Sequence, residues 1–325
     1  MSAQVPRVVL VPRNGYVNRL QALVSSQLVA QGLGAPLQVL WEPQPAAPDD
    51  VSRILDTGSG QIELLEPGSA LPGGLALQDI PVGLTRGPEE TLFLAGGLTG
   101  EQYFMPQLRS ELMKPTKSVV IVAGGKFWLP GSSELTGEEA DAFRAARRDM
   151  YQNLKLHTSI EDRAHQIARK LPARFVGLHL RYSDRNFQAP MKRSVRKAMR
   201  EMGPSVDWNV YVAGDSRGTV EKWRTWLEQN GWRVWVDDST ESSPNDGRSS
   251  AALVDWRVLG AAHRRVYFSA SSFGEEAAVA SGRFEESIGL QTSHVRAVFA
   301  QGTYHVQNAL SYPSRHWLNS KPQRR

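Results

Sequence analysis

Between Arg174 and Ser281 the chain repeats one pattern four times: a short apolar run, a turn, then a stretch of helical periodicity. The apolar runs are 174–181, 209–213, 232–236 and 265–269. The helical stretches are 191–202, 219–229, 250–262 and 275–281. A helix between two strands returns the chain to the same edge of a sheet, so this order demands a parallel sheet with right-handed crossovers. In such a sheet ligands gather at the carboxyl ends of the strands.

The first half carries a looser version of the pattern. Arg7 to Pro12 reads as a buried strand. A polar turn follows, Arg13-Asn-Gly-Tyr-Val-Asn-Arg19, then helical spacing from Leu20 to Gln31 that Gly32 and Gly34 end. Leu37 to Trp41 is a second strand, closed by Glu42 and Pro43. The run 44–90 is rich in Pro and Gly, with one short strand expected at 61–65. Thr91 to Ala95 and Ser118 to Ala123 are further strands, each followed by a Gly pair. Two helices are expected next. Gly137 to Leu154 has Thr136 as N-cap and Glu139 completing a capping box. Ser159 to Leu171 is capped by Thr158 or Ser159. The expected architecture is α/β: two Rossmann-like domains facing a cleft, 1–156 and 157–305, with a tail at 306–325.

Bulk properties narrow the class. Hydrophobic residues make up 41% and charged residues 22% of 325, enough for real cores. There is no cysteine, which removes disulfides, thiolate metal sites and a thiol nucleophile. A net charge of +5 favours anionic ligands but is too small to argue for nucleic acid. The start has no signal-type segment, and no run of about 18 apolar residues predicts a membrane span. A cytoplasmic location is the expectation. No P-loop, G-x-G-x-x-G, H-E-x-x-H or G-x-S-x-G pattern occurs, so no metal site is expected. Asp49-Asp50 and Asp237-Asp238 read as loop acids.

Three strand ends in the second half carry polar groups. His179 and Arg181 close the first, in Phe-Val-Gly-Leu-His-Leu-Arg-Tyr-Ser-Asp-Arg (175–185). Asp215 and Ser216 close the second. Ser271 and Ser272 close the last and open a helix, whose free N–H groups and dipole favour an anion. A cationic fork at 179–185 suits a phosphate or diphosphate. The same residues also read as a buried strand ending in a charged turn. Asp255 lies mid-helix between apolar residues and needs donors. A guanine edge offers two parallel ones. A neighbouring arginine, Arg257 or Arg264, is the competing partner.

Four segments, in order, resemble the fucosyltransferase superfamily, which includes α1,6-, nodulation-factor and protein O-fucosyltransferases. Val176 to Asp184 resembles its H-x-R-R-x-D segment. Asn14-Gly-Tyr-Val-Asn-Arg-Leu-Gln21 is similar to its N-terminal G-x-G-N-R/Q loop. Val210 to Ser216 resembles V-A-T-D, and Ala252 to His263 with Ser269 to Gly274 resembles D-x-x-x-L-S-x-x-D…S-S-F. The resemblance implies a GT-B type, metal-independent, inverting glycosyltransferase. It would move fucose or a related sugar from a GDP-sugar to a hydroxyl acceptor (glycan, small molecule or peptide), with no further cofactor and no nucleic-acid partner. By position, Arg181 would hold the departing diphosphate, His179 would contact the nucleotide and Asp255 would read guanine. Ser271, Ser272 and Phe273 would surround phosphates and base. Gly15, Asn18, Arg19 and Asp215 complete the nucleotide-sugar set, and Glu42 is the candidate acceptor base. Two positions depart from the family: Tyr182 replaces its second arginine and Val17 its second glycine. They keep open an inert sugar-nucleotide or glycan-binding module on the same fold. Another nucleotide donor is a further alternative.

Overall fold

The computed structural model describes residues 6–56, 62–81, 83–95, 110–126, 137–181, 192–202, 209–237, 250–268 and 271–290. Tyr182, Asp184, Arg185 and Thr136 lie outside these residues.

The apolar runs of the first half form one sheet. Its strands are β1 (Arg7–Pro12), β2 (Leu37–Leu40), β3 (Glu63–Leu65), β4 (Gly83–Arg86), β5 (Thr91–Ala95) and β6 (Ser118–Ala123), ordered β3-β2-β1-β6-β5-β4. All neighbours pair in parallel except β4, which runs antiparallel on β5. The sequence pattern does not predict β4, because this strand is partly exposed and has no apolar alternation. Helix α1 (Tyr16–Leu33) joins β1 to β2 and begins four residues before its apolar repeat, so half of the polar turn is helical. Its end is Gly34 at φ 61, the left-handed cap a glycine accepts without strain.

Helices α2 (Gly137–Asn153) and α3 (Thr158–Lys170) lie between the two sheets in sequence. The N-cap of α3 is His157, whose ring nitrogen accepts from the Ser159 N–H, and not Thr158 or Ser159. The second sheet contains β7 (Val176–Leu180), β8 (Asn209–Gly214), β9 (Arg233–Trp235), β10 (Arg264–Phe268) and β11 (Ser287–Leu290), all parallel and ordered β11-β10-β7-β8-β9. Helices α4 (Lys192–Glu201), α5 (Arg217–Gln229), α6 (Ala251–Ala261) and α7 (Ser272–Ala280) are its crossovers. Helix α7 starts three residues earlier than its apolar pattern, at Ser272.

Alternation along the strands sorts the core into layers. Leu178, Leu180, Val210 and Val212 pack under α4 and α5 with Val195, Met199 and Trp223. Val9, Val11, Phe93 and Val120 fill the outer face of the first sheet. The third cluster belongs to both sheets: Val8, Leu10, Leu20 and Leu23 join it from one, Tyr211, Ala213, Leu253 and Trp256 from the other. One continuous apolar core therefore runs between the sheets. Among the described residues, no helix is long and apolar enough to cross a membrane.

Candidate functional site

In the second sheet the strand order reverses once, between β7 and β10; in the first, β1 leads toward β2 on one side and has β6, the last strand of that sheet, on the other. A reversal leaves a crevice outside the carboxyl ends, because the two crossovers leave in opposite directions. The turn into α7 rises beside that crevice and the turn into α1 from the carboxyl end of β1, and the two helices lie side by side. Ser272 Oγ donates to Asn18 Oδ1 at 2.6 Å. One turn further along, Gln21 Nε2 donates to Glu276 Oε1 at 2.9 Å. The steps from 18 to 21 and from 272 to 276 run in the same sense, so both N-termini emerge together. Their N-caps, Gly15 and Ser271, make no side-chain capping bond, which leaves N–H groups for a ligand. Ser271 is 2% exposed, and its hydroxyl has no hydrogen-bond partner among the described residues.

Close packing sets both turns. A Cβ on Gly124, just after β6, would collide with the Asn14 side-chain amide, and one on Gly274 would collide with Tyr267 Cβ. Asn14 itself is left-handed at φ 68, and its carbonyl accepts from Arg19 Nε at 3.0 Å. Arg19 lies fully buried below this turn, 4.7 Å from the centre of the Trp41 ring. Burial first, and Arg13 second, lower its pKa to about 10. Its two terminal nitrogens have no hydrogen-bond partner among the described residues. Arg19 thus holds the loop from beneath. Glu42, at the end of β2, forms a 3.8 Å ion pair with Arg13 on the same edge.

On the second sheet, His179 faces α7 near the end of β7 and stacks on Phe273, ring centres 4.7 Å apart at 18°. It is 5% exposed, and Nδ1 has no partner among the described residues. Burial, with the Arg181 cation second, pulls its pKa down to about 3. The imidazole is therefore neutral at physiological pH. The cationic fork read from sequence reduces, among the described residues, to Arg181 with two helix N-termini. Arg181 follows β7 directly and is partly exposed. Asp215 follows β8, its backbone N–H bonded to the Leu180 carbonyl at 3.2 Å.

Asp255 has neither arginine partner expected of it. Arg257 pairs with Glu161 at 2.7 Å and donates to the Leu154 carbonyl, while Arg264 donates to the Met202 carbonyl. Asp255 instead accepts a short hydrogen bond from the Tyr211 hydroxyl. Burial first, and the Asp237 carboxylate as a further cause, push its pKa up to about 7 against the bond from Tyr211. Asp237 is itself paired with Arg163 at 2.6 Å.

Sequence reasoning missed several groups that set this geometry. Lys126, just beyond the Gly pair after β6, pairs with Glu275 of α7. Glu276 is fully buried, held by Gln21, by Arg147 and by the Tyr151 hydroxyl at 2.8 Å. An acid inside the apolar pattern of α7 was the available signal for it.

No protein-family model matches the sequence, and a search of curated proteins gives no match. Solved structures do match. A variant of Arabidopsis thaliana FUT1 in complex with GDP is similar over 86% of this chain and 69% of its own, at 15% identity and a TM-score of 0.59. Fucosyltransferase NodZ from Bradyrhizobium matches over 84% of this chain and 91% of its own, at 16% identity and 0.53. POFUT1 in complex with GDP-fucose matches over 87% and 97%, at 12% identity and 0.52. The chain has the α/β fold of these fucosyltransferase structures.

Proposed function

We propose that this chain is a GT-B type, inverting glycosyltransferase that takes fucose or a related sugar from a GDP-linked donor and passes it to a hydroxyl acceptor. The observation that carries this reading is the parallel pairing of α1 and α7, whose N-termini lack side-chain caps, with Arg181 at the end of β7, the strand next to the one that leads into α7. A diphosphate is the ligand that such an arrangement suits: two phosphates, each near a set of N–H groups, with a guanidinium between solvent and site. Neighbours of the same fold bind GDP or GDP-fucose.

In the reaction the acceptor oxygen attacks the anomeric carbon from the side opposite the diphosphate. The carbon–oxygen bond to the β-phosphate breaks, and its electron pair stays on the phosphate. Arg181 and the two N-termini stabilise that growing charge, a role a metal ion otherwise fills. Neutral His179, stacked on Phe273, offers a polar edge and a flat apolar wall without competing for the cation's partner. The Asp255 carboxylate accepts hydrogen bonds from the N1–H and N2–H groups of guanine. Glu42, 3.8 Å from Arg13, is the candidate for taking the acceptor proton.

Arg181→Ala should reduce transfer by about a hundred- to a thousandfold, the scale of losing a charge-stabilising donor, with the melting temperature unchanged and EDTA without effect on the wild-type rate. Wild-type turnover in that variant would sink the mechanism. A thermal-shift panel of GDP, UDP, ADP and dTDP tests the donor, and stabilisation by GDP alone supports the guanine assignment. GDP binding with no turnover against any acceptor would favour the inert module.

A further inference from the structure

The donor site just proposed is split between two sheets, and many enzymes with a split site close on their ligand. Interfaces between domains are commonly polar and mobile. Here the contact is different. An apolar core continues from β1 and α1 into β8 and α6. Set into it is a carboxylate with no exposure at all, Glu276, on the second turn of α7. Two elements converge on it. From α1 comes the Gln21 amide, and from α2 come the Arg147 guanidinium and the Tyr151 hydroxyl. Arg147 is 1% exposed and also lies 3.9 Å from Glu275. This buried carboxylate has a cation and two neutral donors, two of them on Oε1 and one on Oε2, so both oxygens are held. Such a set tolerates one arrangement, since any slip leaves a buried charge without its partner.

The position of Glu276 gives that rigidity a purpose. It lies one turn after Ser272, as Gln21 lies one turn after Asn18. The bond between Gln21 and Glu276 therefore fixes the same register that the bond between Asn18 and Ser272 makes at the mouth of the site. Lys126 with Glu275 adds a tie from the end of β6 to the same helix. Resting on the donor-site reading above, we propose that Glu276 is a positioning residue: with Arg147, Tyr151 and Gln21 it locks α1 to α7, so that the two halves of the diphosphate site stand preformed and bind without closure.

The chain has no cysteine, so two introduced ones take spin labels uniquely. Lys114→Cys and Lys222→Cys place labels on exposed positions of the two halves. The wild-type distance distribution should be narrow and unchanged by GDP. Glu276→Gln keeps the shape of the side chain but strands the Arg147 cation. It should broaden the distribution and weaken GDP binding by about tenfold or more at a temperature where circular dichroism shows the fold intact. Glu276→Gln with Arg147→Met removes the stranded cation and leaves the introduced amide able to bond Gln21 and Tyr151, so it should restore both the narrow distribution and the affinity. A wild-type distribution that shifts on GDP overturns the inference. So does a Glu276→Gln variant with a narrow distribution and unchanged affinity, even if its melting temperature falls. Should wild type bind no GDP while Glu276→Gln still broadens the distribution, the lock stands and the donor assignment fails.

Discussion

Two carboxylates, Glu276 and Asp255, are drawn in from water on neighbouring helices of the same sheet, and their surroundings push them in opposite directions. Burial alone would raise the pKa of either. Around Glu276 the cation of Arg147, then Lys126, Gln21 and Tyr151, reverse that and hold it below the usual carboxylate range. Around Asp255 there is one hydroxyl donor and a second acid nearby, and the pKa settles at about 7. A carboxylate held by a cation and two further donors is part of the frame. One with a single hydroxyl donor and a raised pKa has acceptor capacity left open by the described residues, as a proposed ligand-reading group needs. The contrast separates the carboxylate proposed to position the site from the one proposed to read the ligand, and substitutions at the two residues should have opposite consequences.

The largest effect belongs to the frame. Glu276→Ala leaves a buried guanidinium without its carboxylate, which costs about 3–5 kcal/mol. The urea midpoint should fall accordingly at constant slope. Replacing both partners by apolar residues, Glu276→Leu with Arg147→Met, should recover most of that loss, because a buried pair is weak evidence of net stability. Full loss in the double variant would mean that Gln21 and Tyr151 carry the contact.

At Asp255 the direction reverses. Its carboxyl takes up a proton more readily in the folded chain, near 7, than at the ordinary value of 3.8. The folded state therefore binds more protons between those values, and stability falls as pH rises from about 4 to 7. Above that the penalty is complete. A shift of this size corresponds to about 4 kcal/mol, and the partial exposure of the side chain reduces it to about 2. Asp255→Asn should thus be more stable than wild type by about 2 kcal/mol at pH 8 and equal to it at about pH 4. Equal stability at both pH values would remove Asp255 from the comparison.

The same proton bears on the ligand. Guanine offers donors, so binding requires the carboxylate, and wild-type GDP affinity should fall about tenfold per pH unit below 7. His179 cannot be the source, since it stays neutral down to about 3. Isothermal calorimetry of wild type against Asp255→Asn cancels the titration of the GDP phosphates themselves. Parallel pH profiles for the two proteins would count against guanine reading.

How much of this was legible in the sequence depends on the range of each interaction. The alternation of strands and helices is local, and it is enough to place His179, Arg181 and Ser271 at strand ends. The turn glycines were legible for the same reason. Glu276 and Gln21 meet across 255 residues, and Tyr211 reaches Asp255 across 44, so neither pairing leaves a local trace. The neutrality of His179 was hidden too. A histidine before an arginine at a strand end looks like two charges, and only burial against Phe273 turns it into one. The cap of α3 misled because Thr158 and Ser159 are good capping residues, yet the histidine before them took the role.

The smallest and sharpest test changes one oxygen. The Tyr211 hydroxyl donates to Asp255 and holds the carboxyl lower than burial and Asp237 would set it. Tyr211 itself is pushed well above the usual phenol value, so it remains a donor throughout the working range. In Tyr211→Phe the ring still fills the core, while a hydrogen bond to a charged group, about 1.5–3 kcal/mol, is lost. The midpoint of the GDP pH profile should then move upward by about one unit or more, with affinity at about pH 9 close to that of wild type. An unmoved midpoint would mean that Asp255 is not the group that titrates. A midpoint that moves downward would mean that the tyrosine was holding the proton on the acid, which inverts the reading of Asp255 as the poised member of the pair.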